Sequence, residues 1–164
     1  YNDFNYSIKI ICVDYFAETG NISVKDNLRV VYDFDSKKIT ELNNLTLGLS
    51  GLTFDYKNNI LYVLTSSENE AQDAGFDGYL WHIRLSDMLD GKPLQPVFAA
   101  NGKDLLSFAP HKPEGVTLLD DDKLLIVFDD DRKLTFQTTK NETLPPISRA
   151  PNEMWYEIIN IRHK

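Results

Sequence analysis

One stretch of this chain is written twice, and the repetition constrains its fold more than any other feature. Residues 111–131, HKPEGVTLLDDDKLLIVFDDD, read as a short strand, a tight acidic turn and a second strand. Residues 50–67, SGLTFDYKNNILYVLTSS, read the same way. With Gly51 laid on Gly115, the two match without a gap as far as Ser67 and Asp131. Leu52 falls on Val116, Thr53 on Thr117 and Phe54 on Leu118. The turn 56–59 falls on 120–123, and the apolar run 60–64 on 124–128. Like units at a fixed offset mean an array in which each unit buries its apolar face against the next. The offset, 115 minus 51 or 64 residues, exceeds the ~40–50 of a common propeller blade. Two insertions, at 66–78 and 101–113, account for the excess.

Around the repeat the chain reads as strands. Residues 7–15 are β-branched and apolar and predict a strand. A polar loop follows at 18–27, then an alternating strand at 28–34, a turn at 35–38 and a short edge strand at 38–42. In the first unit Leu52 and Phe54 share a face. Residues 60–65 are apolar on both faces, which predicts a central strand between two packed layers. Residues 79–85 alternate, with Tyr79, Trp81, Ile83 and Leu85 to one side and His82 and Arg84 to the other, so one face should be wet. A helical turn is expected at 86–91, then an outer strand at 95–100 whose Pro96 suits a sheet edge. The second unit continues with a third strand at 133–138, a proline-bearing loop at 141–153 and a closing strand at 155–161. Trp155, Glu157, Ile159 and Ile161 share one face of that strand. Helical signal is scarce, and 105–108 is the only other candidate.

The expected fold is all-β: a β-propeller fragment of two to three four-stranded antiparallel blades, with a β-sandwich as the alternative. Candidate blades are 1–49 (partial), 50–100 and 114–164. Gly51 and Gly115 fall where inner strands crowd toward a propeller axis, and a missing side chain permits close packing there. In the plainer reading they only begin strands after turns. Leu61, Val63, Leu124, Leu125 and Val127 should be deeply buried. Two or three blades cannot close a ring, so bare apolar faces should draw a partner, either the missing blades or a second copy of the chain. Tyr79, Trp81 and Ile83 at one end, and Trp155, Ile159 and Ile161 at the other, are the residues such a fragment would uncover.

The segment HKPEGVTLL at 111–119, followed by KLLIVFDD at 123–130, resembles the Glu-Gly blade motif of bacterial esterase-like phytase propellers. It resembles their uncharacterised propeller relatives still more. GLSGL at 48–52 and DGYLW at 77–81 fit the same pattern one blade earlier. The resemblance spans roughly residues 48–131. It implies a propeller of roughly six or seven blades, of which this chain holds the last two or three. It implies no particular activity. Those relatives often carry Arg between the two glycines of the first motif, whereas Ser50 stands there in this chain.

Candidate chemistry follows from the repeat. Residues just before each inner strand would line the mouth of a propeller channel, which places Ser50 and Glu114 at equivalent positions. Antiparallel pairing brings the end of the second strand beside the start of the first. Glu114 should therefore lie near Asp129 and Asp130, and Ser50 near Thr65 and Ser66. Clustered carboxylates shift one another's protonation or hold a hard cation such as calcium. Glu114, Asp129 and Asp130 are thus candidate metal ligands, and Ser50, His111 and Glu114 candidate ligand-binding residues. Against this, Asp-rich runs commonly close turns through local backbone hydrogen bonds. On that ground 120–122 is assigned only a hairpin turn. A lone loop histidine such as His111 is usually neither base nor ligand, and Trp81 and Trp155 read first as core between blades.

Composition excludes some functions. Lys plus Arg number 17 and Asp plus Glu 25, a formal net charge of −8. Such a chain is poorly matched to nucleic acid or an anionic membrane, and no apolar run is long enough to span a bilayer. The single cysteine, Cys12, reads as a buried core thiol and reports no compartment. Asn5, Asn21, Asn44 and Asn141 stand in glycosylation sequons, which matter only in a eukaryotic secreted protein. The chain begins with Tyr1 and shows no signal-peptide pattern, so a fragment is expected, with a periplasmic or secreted setting for the intact protein. There is no Gly-x-Ser-x-Gly elbow, no Cys/His zinc spacing and no Gly-rich phosphate loop. Two classes remain: a propeller that binds a small-molecule ligand or a protein, and a calcium-type metal-assisted hydrolase of small esters, lactones or phosphoesters.

Overall fold

A computed structural model of the chain describes residues 8–23, 29–34, 47–68, 76–129, 135–136, 147–148 and 150–161. The protein is all-β. Its strands are β1 (Ile8–Cys12), β2 (Asp14–Phe16), β3 (Asn21–Ser23), β4 (Arg29–Phe34), β5 (Gly48–Asp55), β6 (Ile60–Glu68) and β7 (Phe76–Arg84). One short helix, α1 (Leu85–Leu89), precedes β8 (Gln95–Pro96), β9 (Pro113–Asp120), β10 (Lys123–Phe128), β11 (Thr135–Phe136), β12 (Ile147–Ser148) and β13 (Tyr156–Asn160). No described helix is long and apolar enough to cross a membrane.

The two repeat units build the two larger sheets. The first is a four-stranded antiparallel meander, β5-β6-β7-β8, and the second a three-stranded sheet in the order β13-β10-β9. Local chemistry closes each hairpin. Asp55, nearly sealed from solvent, accepts the backbone N–H groups of Lys57 and Asn58, both at 3.0 Å, and the Asn58 amide at 2.8 Å. This folds residues 56–59 into a turn in which Asn59 takes a φ of 53°, a conformation asparagine tolerates better than most residues. In the second unit the turn is only Asp121 and Asp122, and Asp120 accepts from the Asp122 N–H at 3.1 Å and from Lys123 at 3.0 Å.

The apolar run of β6 behaves as its sequence predicts. Residues 60–65 are all buried, and β6 is flanked by β5 and β7. Alternation sends Ile60, Tyr62 and Leu64, with Leu80 of β7, onto Leu124, Ile126 and Phe128 of the second sheet. It sends Leu61 and Val63, with Tyr79, Trp81 and Ile83, against Leu47, Met88 and Leu94, with Ile10 of β1 packed alongside. The four-stranded sheet is therefore a middle layer covered on both faces. The expectation of one wet face on 79–85 is corrected accordingly: Leu80 is buried and His82 half-buried, because the second sheet lies over them.

That cover has a pH consequence. Burial, with Arg84 adding repulsion, holds the His82 imidazole below its ordinary value of 6.5. As pH falls through 6.5 the unfolded chain takes up the proton before the folded one does, so stability declines from pH 7 toward pH 5. His82→Gln should flatten this decline in urea unfolding at the two pH values. The difference should be under about 1 kcal/mol, since the ring is only half-buried and solvent screens it.

The edge strands β5 and β9 belong to different sheets yet stand side by side. A Cβ added to Gly51 would lie 3.3 Å from the Val116 nitrogen and 3.5 Å from the Gly115 Cα. Just past the far ends of the same strands, Lys57 ion-pairs with Asp121. Starts meet starts and ends meet ends, so β5 and β9 run in the same sense. Gly51 thus eases a close approach of the two strands and does more than begin one.

Register refines the repeat. In the first hairpin Leu64 lies opposite Gly51, and in the second Val127 lies opposite Gly115. Leu64 therefore corresponds to Val127, one residue away from the ungapped match to Phe128. The cause is the shorter second turn, which leaves Leu119 between the pairs Leu124–Leu118 and Lys123–Asp120. A one-residue slip exchanges faces. Leu124, Ile126 and Phe128 are consequently the buried set, while Leu125 and Val127, expected to be deep, are half-buried.

Other expectations change in detail. The strand at 7–15 breaks at Val13 into β1 and β2, and the loop at 18–27 holds β3, which pairs with β2. Residues 105–108 are extended rather than helical. Leu105 bridges to Phe98 and Ser107 to Tyr79, and the Phe108 N–H donates to the Gly78 carbonyl at 3.0 Å. Of residues 133–138 the described pair, 135–136, forms β11, which pairs with β12, and the third strand of the second sheet is β13, bonded directly to β10. Tyr79, Trp81, Ile83 and Ile161 are buried rather than uncovered, and Trp155 and Ile159 are packed against the core between the sheets. The edge strand at 38–42, the turn at 35–38 and the Cys12 side chain lie outside the described residues.

Candidate functional site

The two residues singled out at the strand starts share an unusual position. Along β5 the ladder runs Gly51–Leu64 and then Leu49–Thr65, passing over Ser50. Along β9 it runs Gly115–Val127 and then Pro113–Phe128, passing over Glu114. Each is the extra residue of a β-bulge, at the same place in its unit. A bulge frees a residue from the ladder and re-aims its side chain. Because β5 and β9 run side by side in one sense, both bulges sit at one end of the stack.

Sequence explains the local geometry. Gly51 and Gly115 follow the bulges, and a Cβ on Gly115 would come within 2.8 Å of Val127. Pro113 precedes the second bulge and packs its ring on Gly78, where a Cβ would lie only 2.2 Å from the proline Cγ. Asp77 ties the next strand down: it accepts the Tyr79 hydroxyl at 2.6 Å, the Ser107 hydroxyl at 2.8 Å and the Gly78 N–H at 2.8 Å. Burial first, and this bond second, raise the Tyr79 phenol well above its ordinary value.

Ser50 lies 2.6 Å, hydroxyl to hydroxyl, from Ser66, as the pairing argument expects. Thr65 turns instead into the core, where its hydroxyl accepts the Trp81 indole N–H at 2.8 Å. Ser50 thus faces another hydroxyl, an arrangement suited to hydrogen bonding rather than to an activated nucleophile. Glu114 is exposed and ion-pairs with Lys112 at 3.4 Å. The ammonium of Lys112 also stands 5.6 Å from the Phe76 ring centre. The Asp129 N–H donates to the Lys112 carbonyl at 3.0 Å, which keeps Asp129 at this end of the sheet. Asp130 lies outside the described residues. Among the described residues no three His, Cys, Asp or Glu side chains gather closely enough to hold a metal.

His111 is half-buried and packs on aromatic rings, with centroids 5.0 Å from Phe128 and 5.6 Å from Trp155. The Trp155 Nε1 is buried with no hydrogen-bond partner among the described residues. Glu157 lies opposite Ile126, on the core-facing side of β13. The residue keeps an exposed edge, yet partial burial of its carboxyl pushes its pKa up, against the opposing pull of His111. Sequence reasoning missed Lys112 and Glu157 as neighbours of the site. Lys112 was legible as a cation two residues from Glu114, a spacing that puts both on one face of an extended chain. No family model, curated protein or solved structure matches the chain.

Proposed function

We propose that this chain is a propeller-type binding module whose ligand site lies at the bulged ends of β5 and β9. The carrying observation is the pair of equivalent bulges at Ser50 and Glu114, which set a polar residue outside the ladder at the same point of each unit. Strand ends freed from pairing are where sheet proteins place variable contacts, on a scaffold kept rigid by the layers behind. The hydroxyl pair Ser50–Ser66 and the ion pair Lys112–Glu114 together offer donors and acceptors of both signs. That set suits a small polar ligand or an extended peptide segment.

The alternative is a calcium-type metal-assisted hydrolase, which asks that Glu114 be joined by Asp129 and Asp130. Binding is favoured because the neighbour of the Glu114 carboxylate is a lysine ammonium, a group that competes with a cation for it. Backbone shift mapping by NMR, with calcium chloride, short charged peptides and monosaccharides as probes, separates the two readings. The binding reading expects peptide or sugar perturbations around Ser50, Ser66 and Glu114 that are lost in Glu114→Gln. It also expects heat unfolding of that variant to stay within about 0.5 kcal/mol of wild type, as for other exposed substitutions. A saturable calcium response lost in Glu114→Gln would favour the hydrolase, and a stability loss of several kcal/mol would make Glu114 structural.

A further inference from the structure

Among the described residues, none covers one apolar face of the second sheet. Leu125 lies between Thr117 and Ile158, and Val127 between Gly115 and Tyr156, all on the side away from the first sheet. Tyr156 is 64% exposed and Ile158 47%. The repeat identifies what such a face does. Leu64 corresponds to Val127 and Tyr62 to Leu125 by their pairing with β5 and β9, and their β7 neighbours Leu80 and His82 correspond to Tyr156 and Ile158. In the first unit this face is buried beneath Leu124, Ile126 and Phe128 of the next sheet. The open face is thus the continuation of an interface the chain already makes.

We propose that a second copy of the chain covers it, head to tail, with its amino-terminal hairpins. Of these, β1 lies on the other side of the stack, its Ile10 packed on the first sheet, and the β2–β3 hairpin follows it directly in the chain. Ile11 of β1 is exposed, and Tyr15 and Ile22, paired across β2 and β3, are 65% and 63% exposed. The sense follows from the chain's own packing, which joins unlike faces of successive units. Repeating it gives a heterologous contact that closes into a ring or runs on.

Sedimentation velocity in physiological salt at micromolar concentrations tests this with Ile158→Lys and Ile22→Lys. Heat unfolding confirms that both variants are folded, since both positions are at the surface. Wild type should sediment as a dimer or larger, and each variant alone as a monomer, with the association midpoint moved by at least about tenfold. An equimolar mixture of the two variants should recover a dimer, because one intact pair of surfaces remains. A monomeric wild type, an unaffected Ile22→Lys variant or a mixture that stays monomeric would overturn the proposal. The second result would mean a like-to-like contact, and the third a two-fold contact that needs both surfaces of each copy.

Discussion

Trp81→Ala should cost about 3–5 kcal/mol of stability, enough to unfold a marginal domain. The indole is wholly buried and sits in the centre of the middle layer, across the ladder from Val63. Its ring packs beside Tyr79 at 6.2 Å between centroids. Its N–H donates to the Thr65 hydroxyl, itself fully buried. Alanine therefore leaves a cavity lined by Val63, Leu47 and Ile83, and also removes the donor that satisfies a buried oxygen. Trp81→Phe should recover much of the packing while leaving the Thr65 hydroxyl with only its longer bond to the Tyr79 carbonyl. Urea unfolding of the two variants separates the cavity cost from the hydrogen-bond cost. A loss below about 1 kcal/mol for Trp81→Ala would mean that the layer is not packed as described.

Gly78→Ala should be the next most damaging change, at about 1–3 kcal/mol. The added methyl would meet the Pro113 ring at 2.2 and 2.6 Å and the Thr65 carbonyl at 2.8 Å. The proline is held by its place beside the second bulge and the carbonyl by the sheet, so neither can move without disturbing the interface between units. Gly48→Ala is the control, since its nearest neighbour would be 3.7 Å away, and it should be close to neutral. Because Pro113 adjoins Glu114, Gly78→Ala should also shift the amide resonances of Glu114 and Gly115, whereas Gly48→Ala should not.

Much of this architecture was legible in the residues. The apolar run of β6 could only be a doubly covered strand, and the matched glycines pointed to two inner strands in contact. The pairing of Ser50 with Ser66 followed from antiparallel geometry alone. Register was hidden because turn length, not strand composition, sets it. A two-residue turn replaces a four-residue one, so Leu125 and Val127 exchange faces with Leu124 and Ile126. The last strand was displaced for a related reason: β-propensity at 133–138 is as good as at 155–161, and only the pairing Lys123–Asn160 decides which joins β10. At the site, the bulges are invisible in sequence because nothing in the residues Ser50 and Glu114 marks them as passed over by the ladder. Their equivalence emerged only when the two hairpins were paired residue by residue.

The central claim is that β5 and β9 stand side by side in the same sense, bringing the two bulges to one end of the stack. An isotope-edited NOE measurement tests it most directly. A Cβ built on Gly51 lies 3.4 Å from a Val116 methyl and 3.5 Å from the Gly115 Cα. Clear NOEs are expected from the Gly51 Hα protons to the Val116 methyls and to the Gly115 Hα protons. Their absence, with NOEs of Gly51 confined to β6, would separate β5 from β9 and contradict the placement of both bulges at one end.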